Sequence, residues 1–220
     1  MSNIYDFVKE LNVKAAEELI KAYNDNNNNN NNNACIPLIF PKYQNDDQKP
    51  QRVSEQELRF AMANMFNKEL ESSNLKCHFS VETPTKKTYR FSGKKETTAQ
   101  TDMTVYDDIQ INIEFKANNP EYKSFCKDIE KLLREDVKYG MWCHILKNAD
   151  NGTWNSLFDK FKESFKSVID NPKYNVEKKT IYFSFLVLDK KEFYRKELKD
   201  ISKYNDFFND KIDTWEKIDF

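Results

Sequence analysis

"DMTVYDDIQINIEFKA", residues 102 to 117, decides how this chain is read. Over 109–117 the alternation is strict. Ile109, Ile111, Ile113 and Phe115 fall on one parity, and Gln110, Asn112, Glu114 and Lys116 on the other. Strand side chains point alternately to two faces, so this segment reads as a half-buried β-strand whose polar face ends in a Glu and a Lys. In the strand at 101–106, Met103 and Val105 face the core, and Asp102 shares its face with Gln100 and Thr104. Asp107-Asp108 makes a short turn, so the two segments form a hairpin. That hairpin brings Asp102 close to Glu114 in register, and two carboxylates and a lysine converge.

Upstream, strands are expected at 75–82 and 87–92. Before them, "SEQELRFAMANMFNKEL" opens a helix. Ser54 and Glu57 make a capping box, and Leu58, Met62, Met65 and Phe66 supply the apolar stripe. Downstream, Phe125, Ile129, Leu132, Leu133 and Val137 mark a helix over 121–138, with Gly140 as its C-cap. Its face of Lys127, Asp128, Glu130, Lys131, Arg134 and Glu135 mixes signs and reads as a solvated surface with internal ion pairs. Residues 141–147 read as a buried strand, Asn151-Gly152 as a turn, 153–169 as an aromatic-rich core helix and 179–188 as a strand. From 190 onward a helical tail is expected to cap the domain. Counted from Ser54, the order is helix, three or four strands, helix, strand, helix, strand. It specifies an α/β fold with a mixed sheet and helices on both faces.

Three segments follow: an amphipathic helix over 1–23, an Asn-rich linker and irregular connection over 24–53, and a single α/β domain over 54–220. The tract from Asn24 to Asn33 is too polar to bury apolar surface. At 220 residues the chain suits one domain with appendages. With 17 Phe and 11 Tyr a real core can form, while 3 Gly and 6 Pro argue against a tight-turn all-β architecture. The formal net charge of −1 supplies no basic footprint, so nucleic-acid contact would rest on a local patch. The opening MSNIYDFVKELNVK has no apolar signal core, and no run approaches membrane-spanning length. The four Cys show no CxxC spacing, and reduced thiols in the cytoplasm are the natural reading. Cys77-His78 and Cys143-His144 each offer one ligand per strand face, which suits buried thiols better than zinc.

Glu-x-Lys occurs four times, at 114–116, 121–123, 177–179 and 197–199, so the triplet alone carries little. Its context at 114–116 carries more. Two converging carboxylates repel each other unless a cation lies between them, and hard carboxylate oxygens suit Mg²⁺ or Mn²⁺. Such an ion acidifies a bound water, and a neighbouring lysine supports negative charge in the transition state. The combination suits phosphodiester hydrolysis.

Asp102, eleven residues, then Glu114-Phe115-Lys116 resembles the D…(D/E)xK signature of the PD-(D/E)xK, or restriction-endonuclease-like, nuclease superfamily. The order helix, three strands, helix, strand over about 54–147 also resembles that family's core (α-β-β-β-α-β, here with an extra C-terminal helix and strand). The helix segment "FCKDIEKLL" at 125–133 is similar to the one that packs on the family's sheet. Thr101 stands where the family usually has proline. The resemblance implies a Mg²⁺- or Mn²⁺-dependent nuclease acting on DNA. Asp102 and Glu114 would be metal ligands, Lys116 the catalytic lysine and Glu57 an auxiliary acid and ligand, with Glu55 an acidic alternative on the same turn. Gln100, Arg90, Lys94 and Lys95 are candidates for nucleic-acid contact. Double-strand cleavage would favour a homodimer. The alternative is a catalytically inactive nuclease-fold protein that binds nucleic acid or protein, with the N-terminal helix as a docking element.

Overall fold

The structure is a computed structural model and describes residues 4–28, 36, 38, 40–41, 51–72, 75–90, 95–174, 176 and 178–220. Its strands are β1 (His78–Tyr89), β2 (Thr97–Tyr106), β3 (Gln110–Ala117), β4 (Tyr139–Leu146), β5 (Thr180–Val187), β6 (Glu192–Leu198) and β7 (Glu216–Asp219). They lie side by side in chain order in a seven-stranded sheet. β1, β2 and β3 pair antiparallel, β3, β4 and β5 parallel, and β5, β6 and β7 antiparallel. Parallel neighbours need crossovers, which α3 (Tyr122–Arg134) and α4 (Asn151–Ile169) supply.

Two hydrophobic layers sandwich the sheet. On one side α1 (Ile4–Asn28) and α2 (Glu55–Ser72) pack on Met103, Ile111, Ile113, Phe115, Met141, Cys143 and Ile145. On the other, α3, α4 and the short α5 (Tyr204–Asn209) pack on Trp142, Leu146, Ile181, Phe183 and Phe185. The alternating parity of β3 and β4 divides these sets. The aromatic face of α4 is core as expected: Phe161 stands edge-on to Phe183 and stacks on Phe208.

The hairpin forms as the sequence predicts, with Met103 opposite Ile113, Thr104 opposite Asn112 and Val105 opposite Ile111. β3 is nevertheless not half-buried. Asn112, Glu114 and Lys116 are buried as well, because β3 is also a parallel strand and its polar face lies under α3. The α2 capping box is present: the Ser54 amide donates to Glu57 Oε2 at 2.7 Å.

Several boundaries differ from the sequence reading. The strands expected at 75–82 and 87–92 are one edge strand, β1, whose register shifts between Pro84 and Thr88. An edge tolerates proline and a bulge because one side of the strand needs no partner. Buried Glu135, just past α3, holds this bulge by accepting from the amides of Lys86 and Lys87 and from the Tyr89 hydroxyl. Gly140 is not a helix cap. It lies inside β4, where a Cβ would meet Leu132 Cδ2 at 3.2 Å, so glycine lets α3 approach the sheet. Asn151-Gly152 is not a turn but the first turn of α4, fixed by Asp150, whose carboxylate accepts from the Thr153 amide.

The tail from 190 is not a helical cap but adds β6, α5 and β7. The charge-rich KEFYRKEL hides the strand alternation, and those charges are paired along the edge: Arg195 with Glu10 and Glu216, Lys196 with Asp210.

The N-terminal helix also differs from expectation. It continues through Asn24 to Asn28, and the rest of the Asn tract lies outside the described residues. Val8, Leu11, Ala15, Ala16, Leu19 and Ile20 are buried in the same core as α2 and the sheet, so α1 is an integral layer rather than an appendage. Substituting Leu19, which is fully buried, by Ala should cost about 2–5 kcal/mol through lost burial and a cavity. Urea unfolding should show this as a shift of a single transition. A detachable helix would instead unfold in a separate early phase and leave the main midpoint in place.

Candidate functional site

β3 fixes the first two groups. Phe115 points into the α1/α2 layer, so Glu114 and Lys116 both point to the α3 side. They are almost completely buried, at 0% and 6% exposure. The paired ladder with β2 ends at Met103 and Ile113. One residue further Asp102 reaches across, and its Oδ2 accepts from the Phe115 amide at 2.8 Å. The carboxylate thus replaces a ladder bond between the two site residues of β3. The three residues that the sequence brings together at the hairpin do converge.

α3 supplies two groups that the sequence reading left on a solvated face. Asp128 and Lys131 are 4% and 2% exposed and lie three residues apart on the edge that faces β3. The Lys131 ammonium donates to Glu114 Oε2 at 2.6 Å, to Asp128 Oδ1 at 2.7 Å and to the Gln100 carbonyl at 2.7 Å, which uses its three protons. The other Asp128 oxygen, Oδ2, takes Lys116 Nζ at 2.6 Å, and Glu55 Oε2 lies 3.6 Å beyond. Glu114, Lys131, Asp128, Lys116 and Glu55 form a chain of alternating charge. A signal for Asp128 was present, since it lies three residues after Phe125 and four before Leu132, on the buried stripe. Glu130 and Arg134 of the same helix do make the surface ion pair expected there.

The site opens onto a polar cavity of about 480 Å³ between the β1–β2 end and α3. Glu55, Asp102, Lys116, Asp128 and Lys131 line it, as do Gln100, Glu82 and Lys127. Glu57 is elsewhere: its carboxylate is taken by Ser54 in the capping box and by Arg52 at 3.2 Å. Glu55, two residues earlier, is the α2 acid that faces the cavity. Gln100 is exposed on the cavity wall, whereas Arg90 and Lys95 are exposed outside it. Lys94 lies outside the described residues.

Burial pushes the Glu114 carboxyl well above the ordinary carboxylate range. Lys131 opposes this, while Asp128 and Asp102 add to it. Burial pulls the Lys116 ammonium down, but the carboxylates of Asp128, Glu55 and Asp102 together more than restore it, so Lys116 stays above the usual lysine value. Asp128 is pushed up by burial and held below its ordinary value by Lys131 and Lys116. Lys131, although burial lowers it, is raised by Glu114 and Asp128. The two lysines and Asp128 are therefore charged at neutral pH, and Glu114 is the group whose charge depends on what lies beside it. Its second oxygen, Oε1, is buried with no hydrogen-bond partner among the described residues.

That orphaned oxygen tests the site against a metal. The donors are carboxylate oxygens, the hard ligands Mg²⁺ and Mn²⁺ prefer, and Mg²⁺ is commonly held by one or two carboxylates with water completing its shell. Among the described residues no three His, Cys, Asp or Glu come together as a metal-holding group. The fit is to a two-carboxylate site, Asp102 and Glu114. The Cys–His dipeptides divide as expected of strands: Cys143 and His144 are buried in β4, and Cys77 is buried beside exposed His78.

Removing the carboxylate by Asp128→Ala would leave buried Lys116 with only the Glu55 carboxylate at 3.6 Å and take one of the three acceptors from Lys131. It should cost about 3–5 kcal/mol, read as a drop in urea midpoint. A loss under about 1 kcal/mol would mean that the pairs are solvated instead.

His144 stands opposite Lys116 in the β3–β4 ladder. Its Nδ1 accepts from Trp142 Nε1 at 3.3 Å and Nε2 contacts the Asn118 carbonyl at 2.6 Å, so the neutral ring with a proton on Nε2 satisfies both. Burial, opposed only by the Asn118 carbonyl, lowers its pKa to about 3. The unfolded chain, with an ordinary value near 6.5, then binds one more proton than the folded one between those limits. Stability should fall as pH drops below about 6.5, by up to about 1.4 kcal/mol per pH unit. Urea midpoints at pH 7 and pH 5 should separate more for the native chain than for His144→Gln. Equal separations would show that the ring is protonated in the fold.

Among the described residues no helix is long and apolar enough to cross a membrane. The chain matches no protein-family model, no curated protein and no solved structure.

Proposed function

We propose that this chain is a metal-dependent phosphodiesterase, a nuclease of restriction-endonuclease-like architecture acting on DNA. One observation carries the reading: Asp102 is bonded to the amide of Phe115, the residue between Glu114 and Lys116, so both acids and the lysine of the D…ExK pattern meet at one end of the β2–β3 hairpin. The order α-β-β-β-α-β from α2 to β4 supports it.

Asp102 and Glu114 would hold Mg²⁺ or Mn²⁺. The ion, when bound, supplies an acidified water and stabilises charge on a phosphoryl oxygen. Lys116 lines the cavity, and its ammonium is fixed by Asp128. It orients the attacking water and supports the charge that develops on the phosphate. Gln100 and Lys127, on the cavity wall, are placed to contact the nucleic-acid backbone.

A second reading, a nuclease-like fold that binds without cutting, is favoured by the bond from Lys131 to Glu114 Oε2, which supplies from within the charge a cation would bring.

Cleavage of supercoiled plasmid and of single-stranded DNA in Mg²⁺, Mn²⁺ or EDTA separates the two. The native chain should cut in a divalent-dependent way, and Lys116→Ala should lower the rate by about 10²–10³-fold, the usual cost of losing one transition-state charge contact. No cutting, or cutting unaffected by the substitution, would leave binding without catalysis as the account.

A further inference from the structure

We propose that Lys131 is a tethered counter-ion that holds Glu114 and yields it when a divalent cation binds, so that the site exchanges an internal cation for an external one. This deepens the metal-dependent reading and rests on it.

The charge balance points to the exchange. With every acid ionised, Asp102, Asp128 and Glu55 on the cavity wall and Glu114, fully buried behind Lys131, bring four carboxylates against the two ammonium groups of Lys116 and Lys131. Glu82 and Lys127, the other charged residues on the cavity wall, add one of each sign and leave the difference unchanged. Two negative charges remain, the charge that one divalent cation neutralises.

The geometry identifies which lysine moves. Lys116 is bound to Asp128 and reaches Glu55, and neither bond involves Glu114. Among the described residues Lys131 alone holds Glu114, by a single oxygen, while the other oxygen of that carboxylate is buried without a partner. A carboxylate with one oxygen on an ammonium and one on nothing is half satisfied, which is costly where water cannot reach it.

Lys131 also keeps two other acceptors, Asp128 and the Gln100 carbonyl, both on the cavity wall. Releasing Glu114 leaves its charge paired and its stem anchored on α3. The ammonium gives up one of three bonds, and Glu114 takes the cation with Asp102. Nothing is oxidised and no covalent bond changes.

The test is Mn²⁺ binding to the full chain at pH 8, followed by electron paramagnetic resonance of the free ion, for the native chain, Lys131→Gln and Glu114→Gln. The glutamine can still reach the Gln100 carbonyl but carries no charge. Lys131→Gln should bind Mn²⁺ about tenfold more tightly, which corresponds to losing one competing charge contact, and Glu114→Gln should lose binding. Equal affinity in the native chain and Lys131→Gln, or no binding by either, overturns the exchange.

Should Lys131→Gln fail to fold, amine acylation of the native chain read by peptide mass spectrometry replaces it. Mg²⁺ should raise labelling at Lys131, which is otherwise buried, and unchanged labelling overturns the proposal.

The outcomes separate this inference from the nuclease reading. Divalent-dependent cutting with no Lys131 effect removes only the exchange. Binding that displaces Lys131 without cutting removes only the nuclease.

Discussion

The Asp128 carboxylate, bonded through one oxygen to Lys131 and through the other to Lys116, is the joint on which the site depends. It ties α3 to β3 at a place where both surfaces are otherwise closed to water. Two ammonium groups and two carboxylates lie beneath that helix with almost no exposure. Removing such charges from water costs several kcal/mol per ion, and their attraction recovers this only when each is well paired. Every member is well paired except Glu114, which has one bond for two oxygens. The network is complete around Lys116 and incomplete around Glu114, and that asymmetry makes Glu114 the responsive group.

The rest of the fold serves this arrangement. β3 is the strand where the sheet changes from antiparallel to parallel pairing, so one side of it is a hairpin and the other a crossover through α3. The hairpin brings Asp102, and the crossover brings Asp128 and Lys131. Gly140 in β4 lets Leu132 of α3 sit against the sheet. Asn118, left-handed at φ 55, turns the chain out of β3 and donates to the Val53 carbonyl just before α2. α2 is thereby held where Glu55 reaches Lys116.

What could be read in the sequence was what local pattern controls. The alternation at 109–117, the Asp107-Asp108 turn and the Ser54–Glu57 cap all concern near neighbours, and all are present. At the site the departures are of one kind, in that a polar pattern suggests solvent where the fold supplies a partner. Glu114 and Lys116 looked like the exposed face of a strand, Asp128 and Lys131 like the exposed face of a helix. Each pair is buried because it faces the other, a pairing that neither segment displays alone. Glu57 illustrates the converse. Its carboxylate is used up by Ser54, at the capping-box spacing, and by Arg52, while Glu55, which no motif marks, reaches the cavity. The charged tail hid β6 and β7 for the same reason, since its charges are satisfied by α1 and by each other.

An interior of this kind also bears on why the charges are there. A buried ion pair replaced by apolar side chains of similar volume is commonly neutral or stabilising, so stability does not explain four charges under α3. Most of the rest of that face is aromatic or aliphatic, from Trp142 to Phe185, and buried polar groups there such as His144 and Asn112 are uncharged. The core could have been closed with the same materials at β3. Instead the sheet end carries groups whose charge is set by burial and by specific partners, beside a polar cavity, the combination that marks functional sites more often than structural ones. A purely structural network would be expected to satisfy each carboxylate fully. The oxygen of Glu114 left without a partner among the described residues fits the proposed exchange, in which a cation from outside the chain completes the network.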